Sequence, residues 1–180
     1  MIAPARTPAP APEPPVRAGF ATAEDGTQLY WRAVGQGPAI VCCNGVGVSL
    51  FFWKYLVDHY CRTHTVVLWD YRAHGRSDRP RDIAAADLSI ARHARDLGVV
   101  LDAIGVEDAL LLGHSMGVQV ILEFHRNAPH RVRGLVPMLG TAGRALDTFY
   151  DYPKSPVIFQ AVARMFDRVG DRAHYFIRPM

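Results

Sequence analysis

Residues 109–117 read Ala-Leu-Leu-Leu-Gly-His-Ser-Met-Gly and contain the pattern that decides the fold. The run at 109–112 is continuously apolar, which is typical of a strand covered on both faces of a sheet. Residues 116–128 have the character of a helix, which ends where Pro129 removes a backbone donor and introduces a bulky ring. Ser115 therefore lies at a tight junction between a predicted strand and a predicted helix.

Two glycines flank this serine, Gly113 before it and Gly117 after it. A turn sharp enough to bring a serine to the top of a sheet leaves no room for larger side chains beside it, so glycine is favoured on both sides. Backbone strain held at a turn is a mark of a functional position. The arrangement predicts that Ser115 is a catalytic nucleophile.

The remaining segments alternate between short apolar runs, typical of buried strands, and amphipathic stretches, typical of helices packed on a sheet. Ser89 can cap the start of the clearest helix, and Gly105 can close its end. Strands that alternate with helices predict an α/β fold, a mostly parallel sheet with helices on both faces. In chain order the other predicted elements are a hairpin at 20–22 and 28–33, a strand at 39–43, a helix at 49–60, a strand at 65–69, a helix at 90–104 and a strand at 134–139.

Composition excludes several classes of protein. With 180 residues, 49% of them hydrophobic, the chain can bury one core and is neither a disordered tail nor a disulfide scaffold. A net charge of +3 without a cluster of Lys and Arg gives no indication of a nucleic-acid partner. No apolar run approaches the length of a membrane span, so we expect a soluble, cytoplasmic protein. Its cysteines, Cys42, Cys43 and Cys61, are expected to be reduced core residues.

Three segments are similar to segments of one known family. Residues 113–117 match its nucleophile turn, and residues 43–47, Cys-Asn-Gly-Val-Gly, follow an apolar strand where the family has a His-Gly or Asn-Gly loop. Residues 70–77, Asp-Tyr-Arg-Ala-His-Gly-Arg-Ser, match a loop usually written Asp-x-Arg-Gly-x-Gly-x-Ser. The chain thus resembles the α/β-hydrolase fold superfamily, in its branch of cap-bearing serine hydrolases, over residues 18–139.

The resemblance implies roles for individual residues. Ser115 forms an acyl-serine intermediate, and the backbone N–H groups of Val46 and Met116 form an oxyanion hole for the charge that develops in the transition state. Asp70 and Arg72 hold their loop by charge-assisted hydrogen bonds rather than contacting substrate. Ala73 stands where the family usually has glycine, one residue after Arg72.

The same resemblance implies a carboxylate and then a histidine after the serine, because a hydroxyl needs an imidazole to accept its proton. His174 has the right order in the chain to be this histidine, with Asp147 as the best placed acid. The family's histidine usually follows further core strands, for which this chain leaves little room beyond Ser115. We therefore expect the chain to be the N-terminal portion of a serine hydrolase, truncated after the sixth strand and the start of the cap. We expect it to be inactive alone.

The expected organisation has three parts. Residues 1–17 are a disordered leader rich in Pro and Ala, and residues 18–140 are the N-terminal part of the hydrolase core. Residues 141–180 are the start of a helical cap, whose aromatic residues fit either a roof over an acyl group or simple core packing.

The expected reaction is hydrolysis of an ester or related acyl compound, a small molecule with an apolar part. Serine rather than aspartate at position 115 argues against epoxide hydrolases, but leaves perhydrolases and carbon–carbon bond hydrolases open. The alternative from another class is an inactive, hydrolase-like module that binds a small ligand. This mechanism needs no cofactor and no metal, and the oligomeric state stays open.

Overall fold

The structure, a computed structural model, describes residues 12–80, 82 and 85–143. Chain contacts divide the protein after Gly140 into two compact units, and the description below concerns the first. Its elements in chain order are β1 (Val16–Thr22), β2 (Gln28–Val34), β3 (Ala39–Cys43), a 3-10 turn (Leu50–Trp53), α1 (Lys54–Tyr60), β4 (Thr65–Trp69), α2 (Ile90–Ile104), β5 (Ala109–His114), α3 (Met116–Asn127), a second 3-10 turn (Pro129–Arg131) and β6 (Val132–Met138).

The six strands form one sheet in the order β1-β2-β4-β3-β5-β6. β4, β3, β5 and β6 run parallel, whereas the β1–β2 hairpin joins β4 in antiparallel orientation. The predicted α/β fold with a mostly parallel sheet is confirmed. Parallel strands end at the same edge of the sheet, so the loops that follow β3, β4 and β5 meet there.

Helices cover both faces of the sheet because successive residues of each central strand point to opposite sides. On β3, Val41 and Cys43 face a core formed with α2 and α3, whereas Ile40 and Cys42 face Trp53 and α1. All five residues of β3 and all five of β4 are buried, as their continuous apolar runs predict.

Element boundaries follow local signals closely at α2. The Ser89 hydroxyl accepts a hydrogen bond from the Arg92 N–H, and Gly105 ends the helix with a φ of 73°, as predicted. The predicted helix at 49–60 instead divides at Trp53 into the 3-10 turn and α1, and the Ser49 side chain makes no cap bond. The α-helix in this segment, α1, is therefore shorter than the sequence pattern indicates.

The start of β1 differs from the predicted end of the leader. Val16 and Arg17, assigned to the leader, pair with Val34 and Ala33 of β2 and belong to the sheet. Backbone hydrogen bonding to a partner strand orders these residues although their own side chains are exposed. Residues 1–11 lie outside the described residues.

A buried ion-pair cluster ties the hairpin to α2. The Arg72 guanidinium donates two hydrogen bonds to the Asp96 carboxylate, at 2.6 and 2.8 Å, and a third to Asp25 at 2.8 Å. Asp96 has no exposed surface and also pairs with Arg92 at 3.2 Å. The hydrogen bond from Arg72 holds the pKa of Asp25 well below its usual range. Arg72 thus has the structural contacts expected of it.

Asp70 and its loop are held mainly by backbone groups. The Asp70 carboxylate accepts a hydrogen bond from the Arg76 N–H at 3.0 Å, and Ser77 Oγ donates to the Asp70 carbonyl at 2.7 Å. Burial raises the pKa of Asp70, although the hydrogen bond from the Arg76 N–H acts in the opposite direction. Ala73, at the family's usual glycine position, has a φ of 64°, which strains a residue with a Cβ.

The three cysteines are free thiols and buried, as expected. Burial raises the pKa of Cys43 to about 12 and that of Cys42 well above its ordinary value, so both are protonated near neutral pH. Among the described helices, none has the length and apolar character needed to cross a membrane.

Candidate active site

Ser115 occupies a strained turn between β5 and α3. Its φ of 52° and ψ of −116° lie outside the regions that residues with a side chain ordinarily adopt. The turn is held in place because the Ser115 N–H donates to the Met138 carbonyl of β6 at 3.0 Å. Ser115 is exposed, and its side chain makes no cap hydrogen bond to the helix that follows. Its hydroxyl is therefore not used to satisfy the start of α3.

The flanking glycines make this turn possible. A Cβ at Gly113 would lie 2.5 Å from the Gly117 carbonyl oxygen, too close for any real contact. A Cβ at Gly117 would overlap the Cys43 carbonyl and lie 2.9 Å from the Asn44 carbonyl oxygen. The role predicted for both glycines is therefore visible in the backbone itself: α3 starts in direct contact with the end of β3.

The loop after β3 passes beside Ser115. A Cβ at Gly45 would lie 3.0 Å from Ser115 Cβ and 3.1 Å from His114 Nδ1, so the backbone of this loop abuts the turn. Val46 follows and is 69% exposed, and Gly47 takes a φ of 70°. The structure thus places Gly45, the residue before Val46, against Ser115, the residue before Met116 and the start of α3.

Asn44 fixes this loop to the sheet. Its side-chain oxygen accepts a hydrogen bond from Trp53 Nε1 at 2.5 Å, and its Nδ2 donates to the Trp69 carbonyl at 3.3 Å. Its backbone carbonyl accepts from the Tyr71 hydroxyl at 2.9 Å. No local motif singles out Trp53 or Tyr71 for this role, and the one sequence signal is that Trp53 ends the aromatic run Phe-Phe-Trp.

Three exposed apolar residues directly follow or precede residues that contact the turn or the adjacent His114. Phe51, Leu139 and Val46 are more than two-thirds exposed, at 77%, 89% and 69%. The Phe52 ring packs on His114 at a centroid distance of 4.4 Å. Such surface is suited to contact the apolar part of a small molecule.

The histidines that the structure describes occupy other places. His74 Nδ1 lies 3.1 Å from the Arg72 carbonyl, and His59 and His64 contact Tyr60. The remaining four are His93 in α2, His114 beside Phe52, His125 in the last turn of α3, and His130 in the 3-10 turn after it. His174 and Asp147 lie outside the described residues. Within residues 12–80, 82 and 85–143, no group of three His, Cys, Asp or Glu side chains is placed to hold a metal ion.

His93, in α2, is buried, with 2% of its surface exposed. Its ring lies 4.7 Å from that of Tyr71, and its Nδ1 is buried without a hydrogen-bond partner in the structure. Burial lowers the pKa of His93 from 6.5 to about 4. The imidazole is therefore neutral in the folded protein near neutral pH.

This burial predicts a loss of stability in mild acid. Below its ordinary pKa of 6.5 the imidazole takes up a proton in the unfolded chain but resists it in the folded one until pH falls to about 4. The stability that the neutral imidazole contributes to the folded protein is fully present above pH 6.5 and is lost as the pH falls towards 4. Between pH 7 and 5, denaturant unfolding should show the wild type losing about 2 kcal/mol more than His93→Leu, which cannot titrate. Parallel pH profiles for the two proteins would contradict the prediction.

Comparison with known proteins places these features in a family. The model of a family described as alpha/beta hydrolase fold matches residues 38–173. A protein named "Putative carbamate hydrolase RutD" from Azorhizobium caulinodans is 40% identical over 114 residues, which are 63% of this chain and 42% of that protein. "Bifunctional epoxide hydrolase 2" from Sus scrofa is 26% identical over 121 residues, 67% of this chain and 21% of its own length.

A solved structure described as "Est816 as an N-Acyl homoserine lactone degrading enzyme" superposes with a TM-score of 0.68 at 30% identity. The match covers 79% of this chain and 52% of that one. The chain spans about half the length of these relatives or less. Because the family model covers most of the sequence, this chain belongs to the alpha/beta hydrolase fold family.

Proposed function

We propose that this chain supplies the nucleophile and the oxyanion-binding groups of a serine hydrolase that acts on esters or related acyl compounds. Ser115 Oγ attacks the carbonyl carbon, the alcohol leaving group departs with a proton, and water then releases the acid from the acyl-serine. The observation that carries the proposal is the backbone of Ser115, strained at a φ of 52°, with the side chain exposed and not used as a cap. A structural serine would gain nothing from that strain.

The proposed oxyanion hole consists of the backbone N–H groups of Val46 and Met116. Met116 begins α3, and N–H groups of the first helical turn lack partners within the helix. The close contact between Gly45 and Ser115 supports the Val46 N–H as the second donor, because Val46 directly follows Gly45. Two such donors, held in place before the reaction, typically stabilise the developing negative charge by several kcal/mol.

The relatives' names and the chemistry of serine together favour a carbonyl substrate. Carbamates and acyl homoserine lactones, named for two relatives, both carry a carbonyl bonded to a heteroatom. Epoxides lack a carbonyl, and the serine at position 115 argues against them. The exposed apolar side chains of Val46, Phe51 and Leu139 support a substrate with an apolar part.

Transfer of the serine proton requires a general base, for which His174 with Asp147 stays the candidate pair. An experiment that does not depend on this pair supplies free imidazole as the base. The 180-residue chain is incubated with an aryl fluorophosphonate and imidazole, so that Oγ bonds to phosphorus, fluoride leaves and imidazole takes the proton. Intact mass should show one phosphonyl group per chain, and peptide mapping should place it on Ser115.

Two variants give this test its controls. Ser115→Ala should not be labelled, whereas Ser49→Ala, which removes an exposed serine without a cap bond, should be labelled like the wild type. A label on another serine, or equal labelling of Ser115→Ala, contradicts the proposal. A folded but unlabelled wild type instead favours the inactive ligand-binding module.

A further inference from the structure

The loop that precedes Val46 is held through Asn44, and both oxygen atoms of Asn44 are engaged. The side-chain oxygen accepts from Trp53 Nε1 at 2.5 Å, and the backbone oxygen accepts from the Tyr71 hydroxyl at 2.9 Å. Asn44, Trp53 and Tyr71 are 2%, 3% and 1% exposed, so water does not compete for these bonds. Hydrogen bonds in such a dry setting are strong and directional.

These two donors set the direction of the peptides that follow. The Asn44 carbonyl and the Gly45 N–H belong to one planar peptide group, so a bond to that carbonyl fixes the plane. The only soft torsions between this plane and the Val46 N–H are the two dihedrals of Gly45. Gly45 has little room around it, because a Cβ built there would lie 3.0 Å from Ser115 Cβ and 3.1 Å from His114 Nδ1.

The far side of the loop offers less support. Val46 is 69% exposed, and a Cβ built at Gly47 would meet nothing within 4 Å. The Val48 N–H donates to the Gly45 carbonyl at 3.3 Å, which closes a turn but does not attach it to the sheet. Attachment therefore comes from the Asn44 side.

We infer that Trp53 and Tyr71 are positioning residues, which aim the Val46 N–H at the oxyanion site by holding Asn44 from two sides. Trp53 ends the 3-10 turn before α1, and Tyr71 follows β4, so the two donors come from separate elements. The catalytic meaning of this inference rests on the proposed function of Ser115. Neither side chain is required to touch substrate.

Removing each donor while keeping an aromatic ring at the position tests the inference. The 180-residue chain is assayed with p-nitrophenyl butyrate and imidazole, and the rate of Ser115→Ala is subtracted. Tyr71→Phe and Trp53→Phe should each lower the Ser115-dependent kcat about tenfold, less than the loss of an oxyanion donor itself, because the donor is misaimed rather than absent. KM should stay within about twofold, since a loosened loop weakens transition-state more than ground-state binding.

Matched variants separate positioning from general loss of packing. Tyr30→Phe removes the hydroxyl of another buried tyrosine, which accepts from Arg76, and Trp31→Phe removes an indole N–H that has no hydrogen-bond partner among the described residues. Both should retain wild-type kcat. A fall in kcat as large in Tyr30→Phe as in Tyr71→Phe, or a KM that rises as much as kcat falls, overturns the inference.

A readout without turnover keeps the inference separate from the proposed function. Amide ¹⁵N relaxation should show Gly45 and Val46 rigid in the wild type and mobile on the nanosecond timescale in Tyr71→Phe and Trp53→Phe. Unchanged relaxation at both amides overturns the positioning role whatever the activity. Mobile amides with an inert Ser115 would uphold the mechanical role of the two donors while the proposed hydrolase function fails.

Discussion

Replacing Gly117 with alanine should destabilise the protein by about 3 kcal/mol or more, because the new Cβ would overlap backbone that cannot move freely. That Cβ would overlap the Cys43 carbonyl oxygen and lie 2.7 Å from its carbonyl carbon and 2.9 Å from the Asn44 carbonyl oxygen. These atoms belong to the buried end of β3 and to the loop beside Ser115. Labelling of Ser115 should fall with stability, because relief of the overlap requires α3 and the loop to separate.

Gly98→Ala is the matched control for this change. Gly98 lies inside α2, and a Cβ there would meet Phe124 at 3.6 Å, an ordinary contact. Alanine in a helix interior is favoured over glycine, so this variant should gain up to about 1 kcal/mol. Denaturant unfolding measures both variants. A Gly117→Ala protein as stable as the wild type would show that the close contact between α3 and β3 is not a constraint.

Replacing Asp96 with alanine should cost about 3–5 kcal/mol, because it leaves two guanidinium groups without their buried partner. Arg72 is 3% exposed and Arg92 8%, and water reaches neither of them easily. Asp96→Asn should also be destabilising, since a neutral amide offers one acceptor where the carboxylate receives hydrogen bonds on both oxygens. The ion pairs also hold Asp25 of the hairpin, so β1 and β2 should loosen first.

Asp102→Ala, in the same helix, gives the comparison. Asp102 pairs with Arg131 at 2.7 Å, but its side chain is 68% exposed, so its loss should cost no more than about 1 kcal/mol. Equilibrium unfolding of the three variants, with hydrogen exchange of β1 and β2 amides, measures these effects. Equal losses in Asp96→Ala and Asp102→Ala would contradict the central role assigned to the buried cluster.

The sequence predicts most of the sheet because its signals are local. Continuous apolar runs predict β3 and β4 at their observed bounds, and Ser89 and Gly105 mark both ends of α2. The sequence does not predict an element boundary correctly where a tertiary contact determines it. The helix expected at 49–60 divides at Trp53 because the indole is held by Asn44, a contact that no local pattern contains.

The candidate site likewise has features that local sequence predicts and features that only tertiary contacts determine. The glycines at 113 and 117 predict a strained turn at Ser115, because the lack of space for side chains in the turn determines which residues stand close to it in the sequence. The support of the neighbouring loop by Tyr71 is not predictable, since it joins residues 27 positions apart in the chain. The neutral state of His93 depends on burial under that tyrosine, which likewise appears only in three dimensions.

The position of β3 between β4 and β5 has a consequence for the order of folding during synthesis. Ala39 pairs with Thr65 on one side and with Ala109 on the other, so the first partner leaves the ribosome well before the second. Chains emerge from their N-terminus, and short loops close at lower entropic cost than long ones. We therefore expect the loop that follows β3, with Asn44 and Val46, to be in place on the nascent chain before Ser115 has been translated.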